Sequence, residues 1–258
     1  MTQPILQTRE GQMVPAVSFR ILRGGEWKNL STDEIFGGRN VVLFSLPGAF
    51  TPTCSATHLP RFNELAGVFR ERGIDTIACV SVNDPFVMHE WGKDQEAENV
   101  LLLPDGNGAF TEAMGLLVDK SAAGMGKRSW RYSMLVRDKV IEKMFLEPQK
   151  PGEPFEVSDA DTMLRYLDPA AKLPDQVAIL TREGCGFCAK AKQMLKEAGY
   201  DFAELPLPHT IRSRALGAIA QAQTVPQVFV NGKLIGGSVE LQAFLKERAP
   251  KDTAALTA

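Results

Sequence analysis

The sequence predicts an α/β protein built from two domains in tandem. Short β-branched and apolar runs alternate with segments of helical periodicity, the pattern of sheets covered on both faces. The stretch Asp168-Pro169-Ala170-Ala171-Lys172-Leu173-Pro174-Asp175-Gln176 interrupts that alternation with two prolines and reads as a connector. The charge balance also changes sign there, from a net −5 over residues 1–168 to +3 over 169–258. The 258-residue length suffices for two cores. The expected layout is a first domain over 1–168, a linker over 169–175, a second domain over 176–249 and a disordered tail over 250–258.

In the first domain, 41–45 is an apolar, β-branched run expected to be a buried strand. A helix is expected over 54–72, with Leu59, Phe62, Leu65, Ala66 and Phe69 on one face and Gly73 as its stop. Strand character returns at 74–82, helix at 84–93, and strands at 101–103, 132–136 and 140–146. Arg137-Asp138-Lys139 joins the last pair as a short hairpin. In the second domain, strands are expected at 177–180, 201–204, 227–230 and 233–235, and helices at 186–198, 210–221 and 238–248. Asn231-Gly232 between two of these strands is a strong type I′ turn signal.

Composition excludes several functional classes. Hydrophobic residues make up 44% and charged residues 23%, so the chain has the makeup of a folded globular protein. A net charge of −2 lacks the basic excess of a nucleic-acid binder. No apolar run reaches the roughly 18 residues of a membrane span. The opening residues lack a basic start and an apolar core, so a cytoplasmic protein is expected. Four cysteines in a chain this long do not make a disulfide scaffold; in a reducing compartment they are core fillers, ligands or redox catalysts.

Cys185-Gly186-Phe187-Cys188 follows a predicted strand and opens a predicted helix. The unsatisfied N–H groups and dipole of a helix start favour a thiolate, which makes Cys185 a nucleophile. Cys188, one turn on, can attack Cys185 and close a small disulfide. A cis Val225–Pro226 bond ahead of the next strand would expose the Val225 backbone to a peptide-like thiol. The competing reading, half of a zinc site, lacks a second C-x-x-C or His pair at ligand spacing, so no metal is expected.

Cys54 has a similar setting, at the end of Pro47-Gly48-Ala49-Phe50-Thr51-Pro52-Thr53-Cys54-Ser55. Loop N–H groups there can hold a small oxygen substrate, and the Thr51 hydroxyl can bond the thiolate or a peroxide. An arginine would stabilise the thiolate and polarise an O–O bond. Lys127-Arg128-Ser129-Trp130-Arg131 offers Arg128 and Arg131, and strand alternation does not choose between them. Cys79 lies in an apolar run and reads as a small core residue. His58 reads as a packing or interface residue, and His89 and His209 as surface or structural.

Two families share these motifs. Residues 176–248 resemble a glutaredoxin in the C-G-F-C motif, in Thr224-Val225-Pro226-Gln227-Val228-Phe229-Val230, and in Gly236-Gly237-Ser238. That resemblance implies a thioredoxin fold, with glutathione contacts from Arg182, Phe187, Thr224, Val225, Pro226, Gly237 and Ser238. The sequence departs from the family where Val239 and then Glu240 follow Ser238 in place of the usual aspartate. Residues 5–168 resemble the type 5 peroxiredoxins in the Cys54 loop, in Thr57-His58-Leu59-Pro60, in 78–84 and in Arg131-Tyr132-Ser133-Met134. This resemblance implies a second thioredoxin fold, a peroxidatic Cys54, Thr51 and Arg131 completing its site, and Pro47 shielding it. Arg128 is then expected to be a solvated or interface charge.

Together the resemblances imply a thiol-dependent peroxidase of the peroxiredoxin–glutaredoxin hybrid type. Peroxide would oxidise Cys54 to a sulfenic acid, and a glutathione-type co-substrate would regenerate it through Cys185 and Cys188. No permanently bound cofactor and no nucleic-acid or membrane partner is expected, and a homo-oligomer, dimer or tetramer, is. Two other classes compete: a glutaredoxin-type iron–sulfur module, which usually carries C-G-F-S, and a peroxide sensor that passes oxidation to a client.

Overall fold

The computed structural model describes residues 5–23, 25–150, 152, 154–171, 173–208 and 212–248. His209 and the tail 250–258 lie outside them. Contacts divide the chain into two units, Met1–Lys172 and Leu173–Ala258.

The first unit opens with a hairpin, β1 (Ser18–Arg23) and β2 (Glu26–Ser31), and a short helix α1 (Thr32–Phe36). Ser31 caps α1 in a reciprocal box with Glu34. Then come β3 (Asn40–Ser45) and a wide π-helical turn, Cys54–His58, in which the Leu59 N–H donates to the Cys54 carbonyl. Helices α2 (Leu59–Glu64) and α3 (Ala66–Glu71) follow. The single helix expected over 54–72 is thus three pieces. Pro60 stands near the start of α2 and offers no N–H, and Leu65, with ψ of 3°, leaves helical geometry between α2 and α3. Next are β4 (Thr76–Ser81), α4 (Pro85–Asp94), β5 (Val100–Pro104), α5 (Ala109–Ala113), β6 (Leu117–Asp119), β7 (Lys127–Ser129), β8 (Tyr132–Arg137), β9 (Val140–Leu146) and α6 (Ala160–Leu167).

The main sheet runs β5-β4-β3-β8-β9, with β3, β4 and β5 parallel and β8 and β9 antiparallel. Its central strand shows why both faces are apolar. Val41 and Leu43 pack with Phe36, Phe110 and Met134 on one side; Val42 and Phe44 pack with Phe62, Leu65 and Trp91 on the other. Each such buried side chain stabilises the fold by about 1.5–3 kcal/mol. Asp138 and Lys139, at φ of 43° and 69°, turn the β8–β9 hairpin.

The second unit holds β10 (Val177–Arg182), α7 (Gly186–Glu197), β11 (Ala203–Leu207), α8 (Ser213–Ala220), β12 (Gln227–Val230), β13 (Lys233–Gly236) and α9 (Ser238–Arg248). The sheet order is β11-β10-β12-β13, with β10 and β11 parallel and the others antiparallel. Ile179, Val228 and Leu241 belong to one core layer, and Leu180, Leu207 and Leu216 to another. Asn231 and Gly232, at φ of 50° and 77°, form the expected turn. No described helix is long and apolar enough to cross a membrane.

Candidate active sites at two helix starts

Parallel strand β3 delivers the chain at its carboxyl end to the loop 46–53, and Cys54 begins the helical turn beyond it. Pro47 is buried and Thr51 half-buried. The Ala49 N–H donates to Asn83 Oδ1 at 3.0 Å, and the Ser81 hydroxyl donates to the same oxygen at 2.7 Å. These bonds fasten the loop to the end of β4. Phe50 takes φ of 59°, strained for a residue bearing a side chain. The Thr51 hydroxyl donates to the Gly48 carbonyl at 2.8 Å. With its proton committed there, Thr51 Oγ1 is set to accept a hydrogen bond from an O–H, rather than to donate one to a thiolate. Cys54 is fully buried.

Arg131 starts the main-sheet segment after β7 and is 2% exposed. Its Nη1 bonds His58 Nδ1 at 3.0 Å, and its guanidinium lies over the Phe155 ring at 5.3 Å. Arg128, expected to be a solvated or interface charge, is not free in solvent. It is half-buried and donates to the Met125 carbonyl at 2.8 Å and the Val82 carbonyl at 2.6 Å, bracing the β6–β7 loop against the end of β4.

His58 is the residue whose place sequence reasoning missed. It is fully buried and meets Phe44, Phe62 and Phe155 at ring distances of 4.8–5.6 Å. It packs, as expected, but it also bonds Arg131 and the Ser158 carbonyl, the latter from Nε2 at 3.1 Å. Burial, with the Arg131 charge beside it, pulls its pKa down to about 3, so the ring is neutral. The signal was its spacing: four residues from Cys54, hence one turn away on the same helical face. Glu147 was missed altogether. Its buried carboxylate accepts the N–H groups of Glu156, Val157 and Ser158 and the Ser158 hydroxyl, all at 2.8–2.9 Å.

Cys79 on β4 is fully buried in the apolar layer that also holds Cys54. Burial raises its thiol well above the usual range; the Cys54 charge adds to the rise and Arg131 opposes it. A cavity of about 1180 Å³ in this unit is lined by residues such as Ile21, Leu30, Ile77 and Leu101, and by none of Pro47, Thr51, Cys54 or Arg131.

In the second unit, Cys185 caps α7 and is half-buried. Its sulfur accepts from the Cys188 N–H at 3.2 Å and lies 3.9 Å from the Val225 carbonyl, next to a cis Val225–Pro226 bond. Cys188 is buried, and burial chiefly, with the bond to Cys185, raises its thiol to about 11. A cleft of about 790 Å³ beside Cys185 is lined by Arg182, Cys188, Lys192 and Glu204. Phe187 is 69% exposed. Gln227 Nε2 donates to the Thr224 carbonyl at 2.9 Å, holding the segment before the cis bond. Gly237 and Ser238 stand at the start of α9, where the Gly237 N–H already donates to Glu240 Oε2 at 2.9 Å. A Cβ on Gly236 would lie 2.9 Å from Glu240 Cβ, and φ there is 124°, so that position requires glycine. Among the described residues no group of three or more His, Cys, Asp or Glu side chains is placed to hold a metal ion.

Both units match known proteins. The redoxin family pattern matches residues 9–164 and the glutaredoxin pattern residues 177–235. The hybrid peroxiredoxin hyPrx5 of Haemophilus influenzae is 54% identical over 239 residues, covering 93% of this chain and 99% of that protein. A Synechocystis peroxiredoxin, sll1621, is 61% identical over 148 residues, 56% of this chain and 78% of the relative. Among solved structures, reduced Prx3 from Vibrio vulnificus in complex with H2O2 superposes with a TM-score of 0.59 at 42% identity. That match covers 63% of this chain and all of the other. The 1-Cys peroxiredoxin antioxidant protein of Plasmodium falciparum gives 0.60 at 32% identity, over 63% of this chain and 99% of that one. Both units are thioredoxin folds, and the chain belongs to the peroxiredoxins, as a hybrid thiol peroxidase in which a redoxin domain is followed by a glutaredoxin domain.

Proposed function

We propose that the chain reduces hydrogen peroxide and alkyl hydroperoxides at Cys54 and is regenerated by glutathione through its own second unit. The Cys54 thiolate attacks the terminal peroxide oxygen. The O–O bond breaks, Cys54 becomes a sulfenic acid, and the leaving oxygen departs with a proton as water or an alcohol. Arg131 offsets the charge on both oxygens, and Thr51 accepts from the peroxide O–H. Glutathione then condenses with the sulfenic acid, releasing water and leaving a mixed disulfide on Cys54. Cys54 is buried, so its turn must open for this step. The Cys185 thiolate attacks the glutathione sulfur, takes the glutathionyl group and frees Cys54 as a thiolate. A second glutathione thiolate displaces Cys185 and leaves as glutathione disulfide.

One observation carries the reading. The other cysteine of the Cys54 unit, Cys79, is buried and kept protonated, whereas Cys185 of the second unit is half-buried at a helix start beside the Val225 carbonyl. The first unit therefore offers Cys54 no ready resolving thiolate. Arg182, Phe187, Thr224, Val225, Pro226, Gly237 and Ser238 form the proposed glutathione site. No permanent cofactor takes part, and the linker makes transfer between subunits of a cytoplasmic homo-oligomer the natural arrangement.

The test is peroxide consumption by single Cys→Ser variants. Cys54→Ser loses turnover with every reductant yet keeps glutathione–disulfide exchange. Cys185→Ser loses turnover with glutathione and keeps it with dithiothreitol. Full glutathione-driven activity in Cys185→Ser would make the second unit an accessory and overturn the reading.

A further inference from the structure

We infer that His58 is a positioning residue for the Cys54 site: its neutral imidazole holds the Arg131 guanidinium in place as a hydrogen-bond acceptor, inside a closed ring of bonds through Ser158 and Glu147. The inference rests on the reading of Cys54 as the peroxide nucleophile and Arg131 as its charge partner.

The ring is assembled from groups far apart in sequence. Arg131 Nη1 donates to His58 Nδ1 at 3.0 Å. A guanidinium has only donors, so Nδ1 must carry a lone pair and the ring proton must sit on Nε2. The Ser158 carbonyl lies 3.1 Å from Nε2, accepts that proton and fixes the tautomer. The Ser158 peptide is itself pinned, because Glu147 Oε1 accepts both its N–H and its hydroxyl at 2.8 Å. The Glu147 N–H then donates to the Arg131 carbonyl at 3.1 Å and closes the ring. Arg131, His58, Glu147 and Ser158 are all at most 2% exposed, so water does not compete for these bonds.

Aromatic packing limits the imidazole further. Phe44 and Phe62 confine it on one side, and Phe155 touches both the imidazole, at 4.9 Å, and the Arg131 guanidinium, at 5.3 Å. His58 also ends the wide turn that Cys54 begins. The same short element therefore carries the nucleophile at one end and the acceptor for its arginine at the other. A second cation beside Arg131 would be repelled, and an apolar ring in place of the imidazole would leave a buried guanidinium N–H without its acceptor. The Arg131 N–H that points at position 58 thus requires an acceptor there that carries no positive charge.

The experiment compares His58→Phe and His58→Asn with the wild type. The reading is the single-turnover rate of Cys54 with hydrogen peroxide, which needs no glutathione, together with the pH profile of Cys54 alkylation by iodoacetamide. His58→Phe slows the peroxide step by about 10- to 100-fold, the value of one hydrogen bond to a charged group, and moves the alkylation profile to higher pH. Asparagine can place an amide oxygen near the position of Nδ1, so His58→Asn recovers most of the rate. Wild-type kinetics in His58→Phe, or a folded His58→Asn as slow as His58→Phe, overturns the inference. Where a variant fails to fold, the 15N spectrum of histidine-labelled wild type decides: a neutral Nε2–H tautomer at pH 5.5 supports it, and an imidazolium or Nδ1–H tautomer overturns it. A Cys54→Ser variant that still consumes peroxide would instead refute the site reading beneath it.

Discussion

Acidification should destabilise the first unit through one imidazole. The pKa of His58 is about 3 in the folded protein against 6.5 when free, because burial and Arg131 disfavour its charged form. As pH falls below 6.5 the unfolded chain takes up a proton that the folded chain refuses. The stability His58 contributes is therefore complete above 6.5 and is lost progressively as pH falls towards 3. Between pH 7 and pH 5 the loss is about 2 kcal/mol, at roughly 1.4 kcal/mol for each pH unit well below the free value. Urea unfolding at the two pH values measures it. Trp27, Trp91 and Trp130 all lie in the first unit, so tryptophan fluorescence reports that unit alone. In His58→Asn the part of the pH dependence due to residue 58 disappears, and the difference between variant and wild type narrows by about 2 kcal/mol on going to pH 5. Parallel pH dependences would refute the reasoning, since His58 would then titrate alike in both states.

Two further outcomes follow from the second unit. Cys188 is a thiol with a pKa of about 11, so only about one molecule in 10⁴ carries its thiolate at pH 7. Cys188→Ser should accordingly keep more than half of glutathione-supported peroxide turnover, and a loss of ten-fold or more would show that the dithiol route dominates. The Glu240 carboxylate accepts from the Gly237 N–H, a group of the proposed glutathione site, and so competes there with a carboxylate of glutathione. Glu240→Gln should lower the KM for glutathione about two- to five-fold with kcat unchanged, the worth of one charge at a helix start. An unchanged or raised KM, read from steady-state kinetics, would count against that placement.

The parts of the fold that sequence made legible are those with strong local signals. Asn231-Gly232 marks a tight turn, so 227–230 is a strand as expected and β13 runs one residue beyond the expected 233–235. The apolar run 41–45 announces a central strand because both of its faces are buried. The β1–β2 hairpin escaped notice because β2, Glu26-Trp27-Lys28-Asn29-Leu30-Ser31, is largely exposed and has no apolar face to read. Helix α6 escaped because its start depends on the Asp159 cap, which accepts from the Thr162 N–H, rather than on an apolar run.

The two candidate sites differ in the same way. Cys54 and Cys185 each follow a strand and begin a helix, and that local arrangement is written in neighbouring residues. The surroundings of Arg131 are not. His58 lies 73 residues from Arg131 and 100 from Ser158, and Glu147 reaches Ser158 across 11 residues with no periodicity to mark it. The bonds of Arg128 were not legible either, because its partners are backbone carbonyls, which any sequence could supply.

The account turns on a glutathionyl group passing from Cys54 to Cys185. Cys185→Ser, treated with peroxide and then glutathione, should stop at a mixed disulfide. Mass spectrometry of its peptides should find one glutathionyl group on Cys54, removed on adding wild-type second unit as part of a full-length Cys54→Ser chain. Glutathione found on Cys188 alone, or a Cys54 that stays sulfenic in the presence of glutathione, would contradict the account.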